Sequence, residues 1–182
     1  MQVDDGGDWH IDGNGRGKTH ATIRTAWDEY NLSGDSFIVS GTVTPDGPND
    51  YFFYLSNDTS DSDIVIDEIE VQRVGGTTIV TCERSNSGTP ASGTSATIQN
   101  GNTNHDDTDA GTTAEYGTDL DSASGLDTTN NKAFDYMDTA LRDIASHPNI
   151  RLKNGKCIQI KESTGHGSAV YFKVMYHRES TS

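Results

Sequence analysis

A chain of 182 residues with 28 acidic and 13 basic side chains carries a net charge of −15, and only 31% of it is apolar. That length supports one domain with a real core. The acidic balance argues against a nucleic-acid groove, which needs cations to neutralise phosphates, and against an anionic membrane surface. It favours solubility in a salty medium, where screening relieves self-repulsion.

In chain order, residues 1–19 read as a flexible, extended N-terminal arm, polar and rich in Gly and Asp, with Val3, Trp9 and Ile11 as its anchors. Residues 20–182 read as a single domain. ATIRTAW (21–27) alternates like a short strand, and DEYNLSGD reads as a turn. SFIVSGTV (36–43) and YFFYLSN (51–57) are strand-like, separated by TPDGPND, a strong breaker. In DIVIDEIEVQRV (63–74), Ile64 and Ile66 share a face, and Ile69 and Val71 continue one residue out of phase. The slip at Asp67-Glu68 predicts a β-bulge. Gly75-Gly76 is a hairpin signal before TTIVTCE (77–83).

Residues 85–131 form a polar excursion with few large apolar residues: Ile98, Tyr116, Leu120 and Leu126. In 132–147, Ala133, Phe134, Met137, Leu141, Ile144 and Ala145 fall on one stripe at helical spacing, with Pro148 beyond. This predicts the one helix. NIRLK, KCIQIKE and SAVYFKVMYHR close the chain as strands, with a hairpin turn at Asn154-Gly155 and Val170, Phe172, Val174 and Tyr176 on one face. About eight strands at this spacing predict a mainly β fold, an antiparallel β-sandwich of jelly-roll type.

The motifs carry little chemistry. DGNGRGKTH (12–20) ends like a phosphate-binding loop, but Asp12 stands where the first Gly belongs, and no buried strand precedes it. As an EF-hand loop it has Arg16 and Ile23 at ligand places. His166 and Ser168 lie in a Gly-rich hairpin tip with no pocket, so no catalytic residue is assigned and no enzyme is expected. The ligand-rich cluster at His105 makes Asp106, Asp107 and Asp109 candidates for calcium, the one cofactor in view. Cys82 and Cys157 read as buried thiols. No apolar leader follows Met1, so a cytoplasmic origin is expected. Tyr51, Phe52, Phe53 and Tyr54 run consecutively, so a strand points two of them outwards. Tyr51 and Phe53 are therefore interface candidates, unless a second sheet and the helix cover both faces.

The order YFFYLSN, polar turn, DIVIDEIEV, then RLKNGKCIQI with its Lys153-Asn154-Gly155-Lys156 turn, and a final SAVYFKVMY strand resembles the jelly-roll decoration (cement) proteins of tailed bacteriophages. The resemblance spans about residues 20–178. It implies a structural virion protein made in the host cytoplasm that binds the outside of a capsid as a homotrimer. Its partner is then the major capsid protein, and Trp9 and Ile11 of the arm are contact residues. The long polar segment at 85–131 and the predicted helix depart from the minimal pattern. The alternative is a receptor- or carbohydrate-binding head domain of a tail or head fibre.

Overall fold

Strand alternation builds the molecule. In the last strand Val170, Phe172, Val174 and Tyr176 are buried, while Tyr171, Lys173 and Met175 between them are accessible. The computed structural model describes residues 9–11, 17–19, 26–73, 78–86, 93–106, 109–121, 132–138, 142–162 and 167–181. Their elements are β1 (Trp9–Ile11), β2 (Gly17–Thr19), α1 (Ala26–Ser33), β3 (Ser36–Val43), β4 (Tyr51–Asn57), β5 (Ser62–Arg73) and β6 (Thr78–Asn86). There follow β7 (Thr94–Ser95), β8 (Ile98–Asn100), β9 (Thr112–Leu120), β10 (Lys132–Asp138), β11 (Arg142–Leu152), β12 (Lys156–Glu162) and β13 (Val170–Ser180).

Two antiparallel sheets form a β-sandwich. Their strand orders are β11-β5-β13-β3-β8 and β10-β6-β12-β4-β9-β7. A single apolar core lies between them, with Phe37, Phe53, Ile66, Ile69, Ile158, Phe172 and Val174 among its buried members. β1 and β2 make a separate antiparallel pair, Trp9 opposite Thr19 and Ile11 opposite Gly17. Gly17, Lys18 and Thr19 therefore lie in a strand and do not open a helix, as a phosphate loop requires.

The bulge expected at Asp67-Glu68 is present. Met175 pairs with Glu68 and Tyr176 with Ile66, so Asp67 is the extra residue, and Ile64, Ile66, Ile69 and Val71 all stay inside.

Three expectations are corrected. The predicted helix at 132–147 is replaced by β10 and β11. Pro148 does not follow a helix. It lies in edge strand β11, where residues 146–150 face only 66–68, a bulge that accommodates a residue without an N–H. The helix is instead α1, in the segment read as strand and turn. Its first turn carries Asp28 and Glu29, which suit the positive N-terminal end. It ends in a Schellman motif: Gly34 at φ 84° donates to Asn31 O, and Asp35 N–H donates to Tyr30 O at 2.9 Å. A side chain at Gly34 would also collide with the His105 ring. Finally, the turns at 75–76 and 154–155 do not make hairpins. The Asn154-Gly155 turn is real, with Gly155 at φ 69° and Lys156 N–H donating to Lys153 O at 3.0 Å. However, β11 and β12 belong to opposite sheets, as do β5 and β6, and β12 and β13. The excursion at 85–131 supplies β7, β8 and β9, and its Leu120 is buried.

Candidate functional site

A dense polar cluster lies at the sandwich end where β4 finishes and β5 begins. Period-two alternation sends Tyr176 into the core, its ring stacked on Phe37 at 5.4 Å. Its phenol reaches the rim and donates to Asp109 Oδ2 at 2.8 Å. Two residues on, Arg178 Nε donates to Asp109 Oδ1 at 2.6 Å, Nη1 to Ser62 Oγ at 2.7 Å and Nη2 to Thr112 Oγ1 at 2.6 Å. Thr112 in turn donates to Asp109 Oδ2 at 2.6 Å. Gly111 permits this closeness, since a Cβ there would lie 2.9 Å from Arg178 Nη2 and 2.6 Å from Thr59 Cγ2.

Asn57, fully buried, ties the same end to both sheets. Its amide donates to Ser62 O at 2.8 Å and Leu152 O at 2.9 Å, and its own carbonyl accepts from Gly155 N–H at 2.9 Å. Two open clefts, about 490 and 420 Å³, flank this knot and share Asp61, Ser62 and Arg178. Burial raises the Tyr176 phenol far above its ordinary value, with the Asp109 charge adding to the effect. The phenol therefore remains a donor throughout the physiological range.

Asp109, a calcium candidate, thus serves as the counter-ion of Arg178, and its carboxylate is only 3% exposed. Both of its oxygens accept hydrogen bonds from Arg178, Tyr176 and Thr112, so a calcium ion would compete with these donors. Asp106 is exposed, and Asp107 lies outside the described residues.

Tyr51 and Phe53, the interface candidates, are both buried within this chain. Every residue of β4 is buried. Phe52 is an extra residue opposite β12, where Ile160 pairs with Phe53 and Lys161 with Tyr51. The bulge lets Phe52 and Phe53 both enter the core, while Tyr51 and Tyr54 join Leu120 and Cys157 on the other face. There the Tyr51 hydroxyl donates to Glu83 Oε2, Lys161 Nζ lies 2.8 Å from Glu83 Oε1, and the same ammonium sits 5.2 Å above the Tyr51 ring. Trp9 and Ile11 lie in β1, of whose side chains nothing is described.

A second cluster escaped sequence reasoning altogether. His177 is buried on the outer side of β13, beneath α1, and the Tyr30 ring stacks on it at 4.1 Å. Its Nδ1 lies 2.8 Å from Asp67, the bulge residue, and its Nε2 lies 3.3 Å from Glu179. Arg151 joins Glu179 to Asp63. With a carboxylate at each ring nitrogen, the surroundings of this histidine favour its protonated form, in which both nitrogens donate. Desolvation lowers its pKa, but hydrogen bonds to Asp67 and Glu179 and their charges outweigh it, so the net shift is upward. The stabilisation from this charge is complete below the ordinary value of 6.5 and is lost as pH rises through the folded value. Replacing His177 by Gln should flatten that part of the curve of unfolding free energy against pH. A variant with the same pH slope as the parent would remove His177 as its source.

Glu115 on β9 is the opposite case. It is 9% exposed, its Oε2 has no hydrogen-bond partner, and Gly93 lies so close that a Cβ there would collide with Oε2. Burial raises its pKa. A raised carboxyl costs stability as pH climbs above its ordinary value of 4.5. Glu115→Gln should therefore stabilise the fold at pH 7, by about 1 kcal/mol, and give no gain at pH 3. An equal gain at both pH values in thermal melts would contradict this.

No protein-family model and no curated protein matches this chain. Fold and site together define an antiparallel β-sandwich in which the buried Asp109–Arg178 pair ties the two sheets together at one end.

Proposed function

We propose that this chain is a structural virion protein of jelly-roll type that binds the outside of a capsid and stabilises it. One observation carries the reading. With β7–β9 set aside as an insertion, the sheets reduce to β11-β5-β13-β3 and β10-β6-β12-β4. This interleaving supports reading the sandwich as an eight-stranded jelly roll, an architecture of viral capsid and lectin domains. The internal use of Asp109, Arg178 and His177 agrees with a scaffolding role, because each is spent on holding elements of this chain together. Fold alone does not decide function, so the resemblance to phage decoration proteins supplies the remaining support.

On this reading the major capsid protein is the partner and the protein is a homotrimer. The N-terminal segment with Trp9 and Ile11 adds contacts that sum by avidity over a symmetric shell. Quantitative mass spectrometry of purified particles, scaled to the major capsid protein, tests it. Copies on the scale of the capsid subunits support decoration. A few copies per particle move the protein to a tail or fibre, and absence from the particle overturns the reading. Deleting residues 1–19 should leave the sandwich folded and weaken capsid binding.

A further inference from the structure

We propose that the outer face of the five-stranded sheet around Tyr171 binds a neutral polysaccharide chain. Tyr171 is 47% exposed, and among the described residues only Leu32 on α1 is another exposed large apolar side chain. It sits on β13, the central strand of its sheet, so its backbone is held on both sides: Thr42 of β3 is its partner on one and Gln72 of β5 on the other. Two residues along the same face, Lys173 pairs with Glu68 at 2.7 Å and Glu70 at 2.5 Å.

Among the described residues, α1 is the helix that packs on this sheet, and it does so towards the other end of β13. α1 reaches β13 through the stack of Tyr30 on His177, six residues from Tyr171, or about 20 Å along a strand. The face thus presents one aromatic ring flanked by a hydroxyl, a planar amide, carboxylates and an ammonium. A pyranose offers the matching surfaces, an apolar C–H face for the ring and a rim of hydroxyls that both donate and accept. A small depression of about 80 Å³ lined by Glu70, Gln72, Tyr171 and Lys173 has room for a few atoms, such as a hydroxymethyl group.

Charge selects the class. Among the described residues the cations Lys173 and Arg151 on this face are each paired with two carboxylates, and the chain as a whole carries −15. Sulfated, phosphorylated or sialylated chains meet repulsion here, and neutral ones do not. This inference goes beyond capsid binding and does not depend on it.

The test titrates the full chain with cellohexaose, mannohexaose and chitohexaose, each to about 1 mM, and with a heparin hexasaccharide, following amide shifts on β13 by NMR. At least one neutral hexaose should shift the Tyr171 and Lys173 resonances. Tyr171→Ala, which empties an exposed position and leaves the melting temperature unchanged, should weaken binding about tenfold, and Tyr171→Phe should retain it. No shift with any neutral hexaose overturns the proposal. So does unchanged affinity in Tyr171→Ala, or a preference for the sulfated probe.

Discussion

Asp109→Ala lowers the unfolding free energy by about 3–5 kcal/mol, the cost of leaving a buried cation without its counter-ion. The carboxylate is 3% exposed and the Arg178 side chain 11%, so water cannot replace the lost partner well. The same change strips the acceptor from the Tyr176 phenol and from Thr112. Asp109→Asn keeps the size and one acceptor and should fall between parent and alanine. Thr112→Val removes a single bridging hydroxyl and should cost about 1 kcal/mol. Urea denaturation of the three variants gives the ranking. If Asp109→Ala costs less than about 1 kcal/mol, the ion pair is a surface ornament and the knot is not what closes this end. Adding a chelator to the parent separates the two roles considered for Asp109. A carboxylate committed to Arg178 leaves the melting temperature unmoved, whereas a calcium ligand would not.

Phe172→Ala costs a similar amount, about 3–5 kcal/mol, through a cavity at the centre of the sandwich. The ring is 3% exposed and lies 4.9 Å from Phe53, 6.2 Å from Phe52 and 6.1 Å from Tyr116, measured between centroids. Those three come from β4 and β9 in the opposite sheet, so Phe172 is the aromatic bolt between layers. It also lies over Gly41, where a Cβ would come 2.7 Å from its Cζ. Gly41→Ala should therefore destabilise by about 1–3 kcal/mol through overpacking. In a double-mutant cycle the two penalties should not add, because Phe172→Ala removes the atom that Gly41→Ala strikes. Additive penalties would mean that Gly41 matters for its backbone and not for the ring above it.

These sites show how far the sequence could be read. β13 was legible from its period of two and β4 from its run of aromatic residues, and in β5 the slip of the alternation at Asp67 revealed the bulge. The helix was missed because AWDEYNLS carries no apolar stripe. Its marks were the acidic first turn and Gly34, and Gly34 was taken for part of a turn. The reverse error fell on 132–147, where spacing fits a helix and pairing with β6 and β5 prevails. Turn residues announce that the chain reverses, but not whether it returns to the same sheet, so Asn154-Gly155 suggested a hairpin that does not exist. The knot was invisible for a related reason. Asp109 and Arg178 are 69 positions apart, and an aspartate in an acidic stretch looks the same whether it awaits calcium or a guanidinium. Tyr51 and Phe53 were chosen on the premise of strict alternation, which the extra residue Phe52 breaks.

The placement of β13 bears on how the protein is made. The last strand in the chain lies at the middle of its sheet, with β5 on one side and β3 on the other. A ribosome delivers these flanking strands long before the one that joins them. Until β13 emerges, the five-stranded layer has a gap down its centre and two unsatisfied edges. The joining of β3 to β5 therefore waits for β13, and a polypeptide truncated before Val170 leaves both edges open to pairing with other chains.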